Sequence, residues 1–390
     1  MIYLDNAATS WPKPEEVYRE MDRFLREVGA NPGRGAHRRA VEAEGLIERT
    51  RRDLAALLGA SPERIAFGLN ATDGLNMALK GFLRPGDHVV TSDLEHNSIT
   101  RPLTAMERKG TIRVTRVAAK NGYLDPRDIA AAATPATRLV AVTHGSNVFG
   151  TLQPIAQIAE AAHAAGARLL VDAAQTAGAV ELDVEGMKLD MVAFTGHKAL
   201  LGPTGTGGLA LRAGVDLDPW REGGTGTDSS NPMHPGDYPA RLEGGTPNAA
   251  GIAALGAGVR WVARRGVEDI HRHETALAGL LRDLLGGDSR FRLIGAYDPA
   301  RTLGIVAFTV EGWTPAEFAA AADEAFAIAV RPGLHCAPGA HRSAGTWPDG
   351  TVRVSVGPFT TEDEIRQAAR AMRDIAGAES ASPPRGGPLS

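Results

Sequence analysis

The sequence predicts an α/β fold: a large domain on a mostly parallel sheet, joined to a smaller α+β domain. Three observations predict it. Short apolar runs alternate with longer amphipathic ones, the pattern of a chain that moves from strand to helix and back. The short runs are nearly continuous in Val, Leu and Ala, as strands are when helices cover both faces. The length of 390 residues exceeds what a single hydrophobic core ordinarily serves.

The elements follow in order. A helical pattern over 38–58 precedes the first strand and frames the sheet. Strand candidates lie at 64–67, 88–91, 112–117, 138–143, 168–171, 191–194 and 208–211. Helical patterns at 99–108 and 155–165 separate some of them. From about Gly251 the texture changes. Two long helical patterns, 252–264 and 268–285, lead into strand candidates at 303–310 and 351–356. Thr361-Glu362-Asp363-Glu364 has the spacing of a capping box and opens the last helix. The division expected is a large domain over 15–250 and a small domain from 1–14 and 251–376. A disordered tail over 377–390 follows.

Composition narrows the function. The net charge is −4 and no basic run stands out, so nucleic acid is not the expected partner. One cysteine permits no intrachain disulfide. Neither Cys-x-x-Cys nor His-Glu-x-x-His occurs, so no metal site is expected. No apolar stretch is long enough for a bilayer, and the first residues lack the basic and apolar regions of a signal peptide. A soluble, cytoplasmic protein without membrane partners is expected.

In open α/β sheets ligands bind beyond the carboxyl ends of the strands. Four polar or titratable side chains follow such ends. His96 follows the 88–91 strand, Asn147 the 138–143 strand, and Asp172 closes 168–171, with Gln175 one turn on. Lys198 follows 191–194 in Phe194-Thr195-Gly196-His197-Lys198. Each alone reads as a cap, a turn or a solvated charge. Together they converge on one sheet edge. A desolvated lysine has a lowered pKa, and its free amine forms a Schiff base with an aldehyde cofactor. A pyridine aldehyde also needs an acid opposite its ring nitrogen, and Asp172 is placed for that. His96 is placed to lie on the ring, and Gln175 and Asn147 to reach the edge bearing its oxygen. Gly68-Leu69-Asn70-Ala71-Thr72 ends a strand and opens a helix, which suits a phosphate. The Ala71 N–H and the Thr72 hydroxyl are candidate donors, with Thr195 and His197. The Gly-rich stretch 202–208 lacks Gly-Lys-Ser/Thr and reads as a turn passing close to the site.

Cys336 lies in Arg331-Pro332-Gly333-Leu334-His335-Cys336-Ala337-Pro338, a loop by its glycine and prolines. His335 and Arg331 are expected to make the local field positive and favour thiolate. A free cysteine is otherwise most often a small buried apolar residue. Arg353 interrupts an apolar strand and needs a partner. A substrate carboxylate and a structural salt bridge both fit.

These segments together resemble the class V aminotransferase family of pyridoxal-phosphate (PLP) enzymes, specifically the cysteine desulfurases. The motifs are Tyr3-Leu4-Asp5-Asn6-Ala7-Ala8-Thr9, Ser146-Asn147-Val148-Phe149-Gly150-Thr151, Val171-Asp172-Ala173-Ala174-Gln175, Thr195-Gly196-His197-Lys198 and Arg331-x-Gly333-x-His335-Cys336. The compact loop after Cys336 is similar to the short-loop branch that includes selenocysteine lyases. The resemblance implies a fold-type-I homodimer with pyridoxal 5'-phosphate as cofactor and L-cysteine as substrate. Alanine is the product, and sulfur is held on Cys336 as a persulfide for an acceptor protein. It implies that Arg353 grips the substrate carboxylate and that Thr246 reaches the partner's phosphate. The 31–37 loop, with Arg34 and His37, would line the substrate entrance. The sequence departs from the pattern at Ala71, where a threonine is common, at Thr195, where serine is common, and at Leu334-His335, where a pair of histidines is common. A β-lyase acting on selenocysteine, cystine or cysteine sulfinate would share the lysine and aspartate and not need Cys336. A non-catalytic scaffold of the same fold would carry no colour.

Overall fold

The structure is a computed structural model and describes residues 1–33, 35–226 and 229–378. The strands are β1 (Ile2–Tyr3), β2 (Ile65–Gly68), β3 (His88–Ser92), β4 (Arg113–Val117), β5 (Thr137–Thr143), β6 (Arg168–Asp172), β7 (Met191–Thr195), β8 (Gly207–Leu211), β9 (Phe291–Ile294), β10 (Ile305–Val310), β11 (Ile328–Ala329), β12 (Arg331–Gly333) and β13 (Thr351–Ser355). The helices are α1 (Glu15–Arg23), α2 (Arg38–Leu58), α3 (Ala71–Phe82), α4 (Asn97–Arg108), α5 (Pro126–Ala132), α6 (Ile155–Ala164), α7 (Ala249–Arg265), α8 (Val267–Gly286), α9 (Pro315–Phe326), α10 (Pro338–Ser343) and α11 (Glu362–Gly377).

All seven strand candidates before residue 212 join one sheet, in the order β2-β8-β7-β6-β5-β3-β4. Pairing is parallel from β4 through β7, and only β8 runs against its neighbours. β3, β7 and β8 are buried along their whole length. Successive side chains serve opposite faces, as the pleat requires. Val90, Val140, Val171 and Val192 pack beneath α2, α6 and α7. Val89, Leu139, Leu170 and Met191 pack against α3 and α4. Each such side chain, fully buried, is worth about 2 kcal/mol over its exposed state.

A four-stranded antiparallel sheet, β12-β13-β10-β9, carries α8, α9 and α11 on a second core. Phe291, Phe308 and Phe318 meet there edge to face. Leu4 from the N-terminal segment joins this core, and β1 pairs with β11. The capping box at Thr361 and Glu364 forms, with each side chain bonded to the other's backbone.

The Gly-rich stretch passes close to other backbone, as expected. A Cβ on Gly207 would sit 2.6 Å from Asn70 Cα, and one on Gly208 (φ +157) would strike the Ala66 carbonyl. These glycines let β8 enter between β2 and β7 and bring the loop beside the start of α3.

Some expectations change. α11 runs through Gly377, so the tail does not begin there, and residues 379–390 lie outside the described residues. β9, β12 and α10 are elements the sequence pattern did not yield. β12 reads Arg-Pro-Gly, the opposite of a strand signal. It pairs because Thr351, Val352 and Arg353 present it an edge.

Candidate active site

A cavity of about 270 Å³ opens at the carboxyl ends of the parallel strands. Lys198, Asp172, His96, Gln175, Asn147, Ala71, Thr72, Thr195, His197, Cys336 and Arg353 all line it. Several arrive from the end of a strand or the start of a helix, while Arg353 comes from the middle of β13. β6 ends on Asp172 and β7 on Thr195, while α3 begins at Ala71 and α4 just after His96.

Lys198 is the one lysine among the described residues that line the cavity. Burial pushes its pKa down to about 8, with Asp172 opposing and Arg353 and Arg331 adding to the fall. No hydrogen bond to a described residue fixes its ammonium. Asp172 is 4 % exposed, and burial raises its carboxyl while the Ala174 N–H and Lys198 hold it down. Its Oδ1 accepts from Ala174 N at 2.9 Å. A cationic group presented to the other oxygen would complete its shell. Gln175 Nε2 donates to Ala7 O at 3.0 Å, which sets the amide against the N-terminal segment.

His96 caps α4, so the modest reading of this residue is realised as well. Its Nδ1 accepts from Ser98 N at 3.1 Å. Burial first, then Lys198 and nearby arginines, push its pKa down to about 4. The neutral ring therefore carries its proton on Nε2.

The phosphate expectation meets a suitable donor set. The Asn70 side chain caps α3 by accepting from Asp73 N at 3.1 Å, which leaves the amides of Ala71 and Thr72 without that partner. The Thr72 hydroxyl lies 2.7 Å from Ser98 Oγ, a neighbour the sequence did not reveal. Thr195 Oγ1 and His197 Nδ1 are buried polar atoms without a hydrogen-bond partner. Buried groups left in that state ask for a ligand. An anionic phosphate at the helix start and a pyridinium opposite Asp172 match these atoms, so the residues fit the pyridoxal phosphate that the resemblance implies.

Arg353 is 2 % exposed, and both earlier accounts of it have a basis. Its NH2 pairs with Asp5 Oδ1 at 3.0 Å and its NH1 donates to Asn147 O at 3.1 Å. Its Nε–H is buried without a partner. Asp5 also faces Arg331 at 3.9 Å. Asp5 was missed as a member of this group because its partners lie some 350 residues away in the chain.

Cys336 is exposed and free. His335 and Cys336 both have left-handed backbone, φ 47 and 59, a conformation rare outside glycine and asparagine. Two contacts hold them there: Asn97 N donates to Cys336 O at 2.8 Å, and Asn147 Nδ2 donates to His335 O at 2.5 Å. Further along, Ser343 Oγ of α10 bonds Asp93 Oδ2. The expectation that His335 adds positive charge is corrected. Burial, then Arg353, His341 and Arg331, push its pKa down to about 2. Arg331, Arg353 and Lys198 line the same cavity as Cys336.

Two expected residues, Thr246 and His37, do not reach this cavity within one chain. Thr246 lines a separate cavity with Phe67, Arg221 and Asn248. His37 caps α2, its Nδ1 accepting from Ala40 N at 3.3 Å, and faces another cleft beside Asn31 and Arg39. Arg34 lies outside the described residues. No described helix is long and apolar enough to cross a membrane.

The family model for aminotransferase class V matches residues 2–367. A probable cysteine desulfurase of Methanothermobacter thermautotrophicus is 37 % identical over 383 residues, covering 96 % of this chain and 95 % of that protein. A cysteine desulfurase of Dickeya dadantii is 33 % identical over 393 residues, covering 96 % and 92 %. Among solved structures, the apo cysteine desulfurase of Thermococcus onnurineus superposes with a TM-score of 0.90 at 32 % identity, covering 96 % and 94 %. The cysteine desulfurase CsdA of Escherichia coli gives 0.86 at 28 %, with the same coverage.

Proposed function

This chain belongs to the aminotransferase class-V family, and from that premise we propose that it is a pyridoxal-phosphate-dependent cysteine desulfurase. It converts L-cysteine to L-alanine and takes the sulfur onto Cys336 as a persulfide. The observation that carries this reading is the meeting of Lys198, Asp172 and Cys336 in one cavity.

The amides of Ala71 and Thr72, the Thr72 and Thr195 hydroxyls and His197 would hold the phosphate of the cofactor. Asp172, Gln175 and His96 would hold its ring. When bound, pyridoxal phosphate supplies an electron sink for the pair left as the substrate α-proton departs. The rest belongs to the chain. Arg353 offers its unpartnered Nε–H to the substrate carboxylate, while Asp5 and Asn147 keep the guanidinium oriented. Lys198, with its amine near neutrality, takes the α-proton and returns it. The neutral His96 ring would lie against the cofactor ring and exclude water there. Cys336 shares the cavity with Arg353 and Lys198, and as thiolate it is the nucleophile. That thiolate takes the substrate sulfur: an S–S bond forms, the carbon–sulfur bond breaks, and the carbon gains a proton. The persulfide is a reversible state of cysteine.

We infer further that the chain works as a cytoplasmic homodimer, with Thr246 serving the partner's phosphate and the 31–37 loop, with Arg34 and His37, lining the substrate entrance. The reading divides the chain into a PLP-binding unit over 15–250 and a smaller unit of 1–14 and 251–376. A protein acceptor would receive the sulfur at the exposed Cys336.

The test compares the parent with Cys336→Ser during incubation with L-cysteine. Persulfide and alanine are expected from the parent only, with the yellow cofactor retained in both. Equal turnover by the variant would mean β-elimination without Cys336 and would overturn the proposal.

A further inference from the structure

The carbonyl oxygen of His197, the residue before Lys198, is where the N-terminal segment converges. It accepts from Ser10 N at 3.0 Å, Thr9 Oγ1 at 3.1 Å, Ser10 Oγ at 3.2 Å and Lys13 Nζ at 3.4 Å. A carbonyl oxygen has two lone pairs. This one faces more donors than satisfying it requires. Lys13 Nζ is also held by Ser10 Oγ at 2.9 Å and Ser10 O at 3.1 Å. The ammonium meets oxygen dipoles and, among the described residues, no carboxylate. Burial pushes its pKa down to about 8. A half-buried cation in that setting costs stability, so tethering a loop does not by itself account for it.

The other end of the segment is fixed too. Asn6 Nδ2 donates to Ser355 O at 3.2 Å, Ala7 N to Ser355 Oγ at 2.9 Å, and Asp5 pairs with Arg353. Residues 5–13 thus run from the strand that bears Arg353 to the turn that bears Lys198. A lysine side chain is long and flexible, so the reach of its amine depends on where its backbone is held. Reaction rates fall steeply when reacting atoms are misplaced by about 1 Å.

We propose that Lys13 is a positioning residue for the reaction: with Thr9 and Ser10 it clamps the His197 carbonyl and so fixes the origin of the Lys198 side chain. The inference deepens the assignment of Lys198 made above and rests on it. It also gives Lys13 an electrostatic part. Lys13 stands beside His197, whose pKa burial, Lys198 and then Lys13 push down to about 4.

The experiment uses the cofactor-loaded protein and three variants, Lys13→Met, Lys13→Arg and Lys198→Ala. Lys13→Met should lower kcat for L-cysteine about ten-fold with KM within about two-fold, in keeping with a misplaced base. It should also move the midpoint of the pH titration of visible absorbance upward, since a cation has been removed. Lys13→Arg should restore most of kcat and the parental midpoint. A Lys13→Met protein with parental kcat and midpoint would overturn the proposal. So would one whose loss of kcat merely follows its unfolded fraction in circular dichroism, with the midpoint unmoved. Lys198→Ala separates the two assignments. If it keeps the visible absorbance, the reading of Lys198 itself has failed. If it loses that absorbance while Lys13→Met behaves as the parent, only the clamp has failed.

Discussion

Lys198 shows how one side chain acquires chemistry from its surroundings. Burial disfavours its ammonium, and the guanidinium groups of Arg353 and Arg331 add to this, while Asp172 only partly restores the charge. An amine near 8 is present largely as free base under mildly alkaline conditions, whereas one at the usual 10.5 is not. The apoprotein should therefore capture pyridoxal phosphate at a rate that climbs as pH rises through about 8 and levels off above it. Stopped-flow absorbance reads this directly. A rate still climbing steeply at pH 10 would mean that the lysine keeps its ordinary value. The position of this residue was legible in the sequence, because a small-residue turn after a buried strand is a local signal. The charge of His335 was not. Its neutrality depends on Arg353 and His341, which approach from β13 and α10, and on burial that no local pattern reports.

Among the elements, legibility follows the same division between local and distant causes. Most strands of the main sheet could be read because each centres on an apolar run with both faces covered, whereas the edge strand β4, Arg-Val-Thr-Arg-Val, is largely exposed. β12 could not, since its sequence is Arg-Pro-Gly and its pairing is supplied by β13. α10 was hidden for a related reason: six residues are too few for a helical period to show. Yet α10 sets the cysteine loop in place. Its Ser343 bonds Asp93, and Gly339 presses on the Asp93 carbonyl so closely that a Cβ there would overlap it. The same Asp93–His96 turn leads into α4, so the cysteine and the ring-covering histidine are docked together. Gly339→Ala should lift α10 from this turn and shift Cys336. A single turnover with L-cysteine should then form persulfide about ten-fold more slowly, with cofactor absorbance unchanged. Parental persulfide formation by that variant would show that the docking does not govern the position of the thiol.

Across the whole molecule, buried titratable groups set how stability depends on pH. His96, His144, His197, His335 and His341 are all pushed below the usual 6.5, chiefly by burial. The unfolded chain protonates these rings below 6.5 while the folded chain resists. Their contribution is therefore complete above 6.5 and is lost as pH falls. Glu95 and Glu274 act in the opposite sense. Burial raises both from 4.5 to about 8, so the unfolded chain gives up these protons first and stability declines between those values. Five histidines outweigh two acids between 4.5 and 6.5, and stability climbs there with pH. From 6.5 to about 8 the acids prevail and it falls. Above 8 the slope reverses, because Lys13 and Lys198 are neutral in the folded protein while unfolded lysine keeps its proton to 10.5. The melting temperature of the full chain should peak near pH 6.5 and dip near pH 8. Glu274 lies in a small, mainly apolar cleft that Lys198 also lines and Cys336 does not, which makes it the cleaner probe of the two acids. Glu274→Gln keeps the shape and removes the proton, so it should flatten the decline between 6.5 and 8 and leave the acid limb as it is. An unchanged decline in that variant would mean that Glu274 is ionised in the folded protein, with a cation or water shell supplying what burial withholds.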